Sequence, residues 1–319
     1  MYITMKLNSL SILSLNTCLS TWIRRILACT LVGFHSTLIA EETARNDSWD
    51  LPTGVKSLPV RGYPMAYAES GKGPTVILVH GALADYRYWG PELVSLSSHL
   101  RIVAVSLRHH FPERWDGKGG DYSITTHAAD LARFIEGLDC GPVDLVGHSR
   151  GGAVAAMTAM KRPELVRRLV LAEPAILSLL PKAADGNEER MAQIKHLNER
   201  FENGDTEGAL EFFIDGVNAP GTWKSRPEPF RQIARDNVWT ISRQTTDIES
   251  MGVTGVASLK MPVLLIGGEK SPRMFTGILD ALNKALPSAT RETLPDAGHQ
   301  VSHDNQAAFD RALTGFLSK

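Results

Sequence analysis

Short apolar runs alternate with longer amphipathic stretches along most of this chain. Thr75 to Val79, Arg101 to Ser106, Val143 to Val146, Val166 to Ala172 and Pro262 to Ile266 are runs of four to seven residues rich in Val, Ile and Leu. Runs of this length, apolar at successive positions, predict strands buried on both faces of a parallel sheet. Two further strands are predicted before them, Val55 to Val60 and Tyr63 to Glu69, joined by a turn at Arg61-Gly62, and one near the end, Ala289 to Leu294. Between the strands the period changes to that of helices: Pro91 to His99, Ser123 to Leu138, a segment beginning at Arg150, Arg273 to Leu286, and Ala307 to Leu317. Ser123 or Thr125 supplies an N-cap for the second of these. Phe309, Leu313 and Phe316 stand at core spacing in the last.

Residues 174–260 break the rhythm. Glu188 to Phe201, Thr206 to Val217 and Pro227 to Arg243 read as amphipathic helices, with no strong strand among them. Strand–helix alternation interrupted by a helical block predicts an α/β fold: a mostly parallel sheet with helices on both faces, carrying an inserted helical cap. The boundaries follow as a core in two parts, 41–173 and 261–319, around a cap at 174–260.

The first 40 residues differ in kind. They hold no Asp or Glu, and Lys6, Arg24 and Arg25 precede an apolar run of 15 residues from Ile26 to Ala40. That is the layout of a secretory signal peptide ending near Ala40, with a periplasmic or secreted mature protein. An uncleaved anchor and a start further along the chain remain open. The run is short and contains His35, so no stable membrane span is expected. Cleavage would leave Cys140 as the lone cysteine, so the fold does not rely on an internal disulfide. The formal net charge of −1 gives no reason to expect nucleic acid as a partner.

The chemistry gathers at Val143-Asp144-Leu145-Val146-Gly147-His148-Ser149-Arg150-Gly151-Gly152. An apolar strand stops at a glycine, a serine follows, and a helix begins, which is the Gly-x-Ser-x-Gly nucleophile elbow. Gly147 and Gly151 let strand and helix approach closely, and Ser149 is expected to stand exposed at the strand's carboxyl end. A serine hydroxyl needs an adjacent base. The candidate is His299 in Asp296-Ala297-Gly298-His299, after the last strand and before the last helix. Backbone N–H groups of Arg150, just after the nucleophile, and of Ala82, after His80-Gly81, are the candidate oxyanion donors. His80 and His148 read as structural, and His303 as an exposed loop histidine. No phosphate loop or metal-ligand spacing occurs, so neither cofactor nor metal is implied.

With His80-Gly81, Gly147-His148-Ser149-Arg150-Gly151 and Asp296-Ala297-Gly298-His299 in this order and spacing, residues 55–319 resemble an α/β-hydrolase-fold enzyme with a helical cap. The resemblance is specific in the core and weak in the cap. It implies a Ser–acid–His triad whose acid is usually an aspartate shortly after the strand at 263–266. This chain has Ser271 there, in Gly267-Gly268-Glu269-Lys270-Ser271. The preceding strand ends Leu171-Ala172-Glu173, and an acid at that place is similar to zearalenone lactone hydrolases and some haloalkane dehalogenases. Glu173 is the first candidate and Glu269 the rival; a triad without an acid remains the third reading.

The resemblance implies a serine hydrolase acting on a small apolar carboxylic ester or lactone through an acyl-enzyme. A carbon–carbon bond hydrolase acting on a vinylogous diketone and a non-catalytic ligand-binding member of the fold are the alternatives. The cap aromatics Phe212, Phe213, Trp223, Phe230 and Trp239 either line an apolar pocket or pack a core.

Overall fold

The computed structural model describes residues 51–120, 122–180, 186–246 and 251–319. The expected signal segment at 1–40, with Cys18 and Cys29, lies outside them. The chain first makes β1 (Lys56–Val60), β2 (Tyr63–Ser70) and β3 (Thr75–Val79), then α1 (Gly90–Ser95), β4 (Arg101–Val105) and α2 (Ile124–Gly137). It continues through β5 (Val143–His148), α3 (Arg150–Lys161) and β6 (Val166–Ala172). The described insertion follows, with α4 (Gly186–Glu202), α5 (Thr206–Val217), α6 (Thr222–Ser225), α7 (Glu228–Asp236), α8 (Thr240–Thr246) and α9 (Gly252–Val256). Then come β7 (Val263–Gly268), α10 (Arg273–Ala285), β8 (Thr290–Leu294), α11 (Val301–Asp304) and α12 (Gln306–Leu317).

The eight strands form one sheet in the order β1-β2-β4-β3-β5-β6-β7-β8. β1–β2 and β2–β4 pair antiparallel, and every pair from β4 to β8 is parallel. Side chains alternate across a strand, so each apolar run feeds two cores. Ile77, Val79, Leu145 and Leu171 pack with Leu131 and Phe134 of α2 and Ile278 and Leu282 of α10. Val76, Leu78, Val146 and Val170 pack on the other face with Phe309, Leu313 and Phe316 of α12. The mostly parallel sheet covered on both faces is the architecture the sequence pattern predicts. Ser123 is the N-cap of α2, accepting from Thr126 N–H at 3.0 Å.

The insertion has a cluster of its own, including Leu197, Leu210, Ile214, Trp223, Ala234 and Ile241. Leu83, from the loop after β3, belongs to the same cluster. A buried polar hub adds to this join. Asp85 accepts from the Arg87 guanidinium at 2.7 Å and from Asn237 Nδ2 at 2.7 Å, and Arg87 also pairs with Asp236 at the end of α7.

Two helices depart from the expected bounds. The segment Pro227 to Arg243, expected as one helix, is broken between α7 and α8. Asn237 causes the break: its Oδ1 accepts from Phe111 N–H at 2.8 Å while its Nδ2 serves Asp85, and its own carbonyl is taken by Thr240. Tertiary hydrogen bonds outweigh helical periodicity there. The helix expected to reach His99 ends at Ser95, and Ser97 Oγ turns back to donate to the Val94 carbonyl at 3.1 Å.

Candidate active site

Strand register sets the geometry of the site. β5 and β6 run parallel with His148 opposite Ala172, so the next residue of each strand, Ser149 and Glu173, emerges side by side. The backbone pairing continues one step past both strands: Ser149 N–H donates to Ala172 O at 3.0 Å, and Glu173 N–H to Ile266 O at 2.9 Å. Both residues then leave the sheet with positive φ, 52° for Ser149 and 48° for Glu173. That region costs a non-glycine residue of order 1–3 kcal/mol and persists only where the surroundings over-determine it. Here the two turns carry the two functional candidates out of the same sheet edge. Gly151 makes the Ser149 turn feasible, because any Cβ there would overlap the carbonyl oxygens of Val79 and His80.

His299 comes from the same carboxyl edge, on the loop between β8 and α11. Its Nε2 lies 3.1 Å from Ser149 Oγ and its Nδ1 lies 3.3 Å from Glu173 Oε2. The second contact is slightly long for a hydrogen bond, as is common before a substrate tightens a site. Glu173 is fixed at its other oxygen, where Oε1 accepts from Gly268 N–H at 3.0 Å. The ring of Phe275 stacks on the imidazole at 3.7 Å between centroids. Two ties hold the loop that carries His299. His148 Nε2 donates to the His299 carbonyl at 2.8 Å, and Asp304 Oδ2 accepts from Gly298 N–H at 3.0 Å.

Burial governs the charge states. It pushes the Glu173 carboxyl up to about 7, opposed by the Gly268 N–H, the Ser271 side chain and Arg291. It pushes the His299 imidazole down to about 3, with Asp304 pulling the other way. Above about pH 7 Glu173 is therefore ionised beside a neutral His299, and below it the carboxyl takes up a proton. A neutral imidazole is the state that can take a proton from Ser149.

The remaining expected site residues sit around this line. Ala82 follows Gly81 in the loop after β3 and lines a cavity above Ser149. That loop lies against the elbow: a Cβ on Gly81 would come within 3.0 Å of Ser149 Cβ. His80 locks the loop, its Nε2 accepting from Leu107 N–H at 3.1 Å and its Nδ1 donating to the Gly81 carbonyl at 2.8 Å. Arg150 is the first residue of α3, which puts its backbone N–H at the helix end favourable to negative charge. Its buried side chain packs over the Tyr122 ring.

The rival acid lies elsewhere. Glu269 is exposed and accepts from Asp296 N–H at 3.1 Å. His303, expected in an exposed loop, belongs to α11 and is partly buried, with Nε2 donating to the Tyr88 carbonyl at 2.9 Å. The chain turn after His299 folds it back onto Tyr88, which the loop-like sequence conceals.

The cavity has about 40 Å³ of room for solvent, enough for one or a few small groups. Its floor is Ser149, His148 and His299; its roof comes from α5 and α7 of the insertion, which leave Ser149 buried and not exposed as expected. Of the five cap aromatics, Phe213 and Phe230 line it. Trp223 is buried in the insertion's own cluster, Phe212 packs against that cluster, and Trp239 is 44% exposed. Tyr88 and Gln300 also line the cavity and were not singled out from the sequence. Only the adjacency of Gln300 to His299 marks it in the sequence, and nothing marks Tyr88. Among the described residues no group of three His, Cys, Asp or Glu side chains could hold a metal ion, and no helix is long and apolar enough to cross a membrane.

A family model described as "Alpha/beta hydrolase family" matches residues 76–312. A putative 2-succinyl-6-hydroxy-2,4-cyclohexadiene-1-carboxylate synthase from Bacillus subtilis is 28% identical over 277 residues, spanning 79% of this chain and 94% of its own. Among solved structures, an enol-lactonase from Burkholderia xenovorans matches with a TM-score of 0.67 at 18% identity, over 82% of this chain and 100% of its own. An esterase from Exiguobacterium antarcticum matches with a TM-score of 0.69 at 20% identity, over 84% of this chain and 100% of its own. At these identities the two structures speak for the fold alone.

Proposed function

The chain belongs to the alpha/beta hydrolase family, and from that premise we propose that it is a serine hydrolase cleaving a small, predominantly apolar carboxylic ester or lactone through an acyl-enzyme. The observation that carries this reading is the hydrogen-bonded line from Ser149 Oγ to His299 Nε2, and from His299 Nδ1 to Glu173, at the foot of a cavity with an apolar roof. The reaction class also fits the names of the like-folded enol-lactonase and esterase.

Ser149 Oγ attacks the carbonyl carbon while His299 Nε2 takes its proton. The backbone N–H groups of Ala82 and Arg150 receive the oxyanion. His299 then gives the proton to the leaving oxygen, and the acyl group remains on Ser149. A water molecule, deprotonated by His299, attacks the acyl-enzyme, and His299 returns that proton to Ser149 Oγ as the bond to the acyl carbon breaks and the acid leaves. Glu173 holds the imidazole with Nδ1 protonated and offsets the positive charge that forms on it. The two attacking steps, by Ser149 and then by water, turn on a neutral His299, which burial favours.

The test is a hydrolysis screen of p-nitrophenyl esters, simple lactones and a vinylogous diketone with purified 41–319 and with Ser149→Ala. Turnover by the parent that falls by several orders of magnitude in a folded Ser149→Ala protein is the expected result. Equal turnover in both proteins would remove Ser149 as nucleophile. Turnover confined to a vinylogous diketone would move the reaction to carbon–carbon bond hydrolysis, and none at all would favour a ligand-binding role.

A further inference from the structure

Two residues that line the cavity carry buried polar atoms that the catalytic line does not use. Gln300 lines the cavity, and its Oε1 is buried with no hydrogen-bond partner among the described residues. His148 also lines it, and its Nδ1 is buried and unpartnered in the same way. The His148 tautomer is fixed: Nε2 must carry the hydrogen, because its partner is the His299 carbonyl. Nδ1 is therefore left with a lone pair, an acceptor. Burial holds this ring well below its usual pKa, so it does not become a cation near neutrality. Unpaired buried polar atoms are rare in folded proteins and ask for an explanation.

The opposite wall is of another kind. Phe213, Ile214 and Val217 of α5 and Ile233 of α7 close the cavity with hydrocarbon. A carboxylate or ammonium pressed against that wall loses its hydration and gains nothing in return. An uncharged group that hydrogen-bonds loses far less, provided the protein offers it a partner. A primary amide on the wall offers both a donor and an acceptor.

We propose that Gln300 is a specificity-determining residue: it reads an uncharged amide or hydroxyl borne by the substrate close to its scissile carbonyl, while the apolar wall of α5 and α7 receives the rest. The inference rests on the ester or lactone hydrolase reading and names the substrate class within it. Its place in the chain fits the role. Gln300 directly follows His299, so it sits beside the imidazole that shuttles the proton. A substrate lacking the group leaves Gln300 Oε1 unpaired and buried. Such a substrate forgoes one neutral hydrogen bond, which lowers its kcat/KM relative to one that carries the group.

The experiment compares three p-nitrophenyl esters of similar length: the N-acetylglycine ester, the pentanoate and the glutaric half-ester. They present an amide, an alkyl chain and a carboxylate. kcat/KM is measured for each with the parent protein and with Gln300→Met, which keeps the length and removes the hydrogen-bonding end. The quantity read is the ratio of amide ester to pentanoate, in the parent divided by that in the variant. Intrinsic reactivity cancels in this double ratio, and so does a general loss of activity from a disturbed His299. The expected value is about three- to tenfold, the worth of one neutral hydrogen bond. The half-ester should be the poorest of the three for the parent.

A double ratio within about twofold of one, with ester turnover intact, overturns the Gln300 assignment and leaves the hydrolase reading standing. A half-ester turned over better than the pentanoate overturns the apolar-wall part. Failure of the parent on every ester contradicts the hydrolase reading itself and takes this inference with it. If Gln300→Met is too inactive to measure, Gln300→Ala gives the same ratio from a smaller side chain.

Discussion

Glu173 is held where burial opposes its charge, and that makes its ionisation a handle on the mechanism. Burial raises its carboxyl to about 7 and lowers the His299 imidazole to about 3. The two lie in contact, so protons bind to the pair rather than to either residue alone. As pH falls through about 7, the first proton joins the pair. If it rests on Glu173 the orienting charge is lost, and if it rests on His299 the base is lost. Either way kcat/KM falls on the acid side, with an apparent midpoint near that value. Glu173→Gln removes the carboxylate and leaves the imidazole to its desolvation. The acid limb of the variant should then move to lower pH, while its plateau drops on the order of 10³- to 10⁴-fold, by analogy with other triads. Glu269→Gln should cost less than about tenfold, because its carboxylate serves the Asp296 backbone and stands away from the imidazole. A pH–rate profile of the three proteins checks both outcomes. An unmoved acid limb in Glu173→Gln, or a collapse in Glu269→Gln, would contradict the assignment.

Elements differ in how far the sequence reveals them, and the reason is the range of the forces that shape them. Thr75–Val79 and Val143–His148 are legible because a buried parallel strand needs only its own run of apolar side chains. Ser149 is legible because the elbow's requirements lie within a few residues on each side. Glu173 is legible through the resemblance, as the acid that closes the strand before β7 where Ser271 replaces the usual aspartate, and its place beside Ser149 depends on a register match with β5 that no local pattern contains. The break after α7 is not legible, because Asn237 is turned by partners 126 and 152 residues away in the chain. Gln300 and Tyr88 stayed hidden for the same reason: a cavity wall is assembled from distant elements. The Asn237 hub also gives an element-scale prediction. Asn237→Leu leaves the Phe111 N–H unpaired and strips Asp85 of a donor in a buried setting. It should destabilise the protein by about 1–3 kcal/mol, read from urea or thermal unfolding. Activity should fall as well, because α7 helps roof the cavity. An unchanged unfolding midpoint would mean that the hub does not hold the insertion.

At the scale of the whole molecule, a two-faced sheet carries the proposed reacting groups on its carboxyl edge, and a helical insertion roofs the cavity above them. The Asp85–Arg87–Asp236–Asn237 hub and Leu83 join the two. Export belongs to this scale too. The basic and apolar start of the chain leads us to propose a mature protein beginning near Glu41, which N-terminal sequencing of native material would reveal. An intact Met1 in cytoplasmic protein would contradict that. The central claim, a nucleophilic Ser149 activated by His299, is tested most directly by the mass of the protein after exposure to a fluorophosphonate. The account predicts one added phosphonyl group, mapped by peptide sequencing to Ser149, and no adduct on Ser149→Ala. An adduct on another residue, or parent protein that stays unmodified while hydrolysing esters, would contradict it.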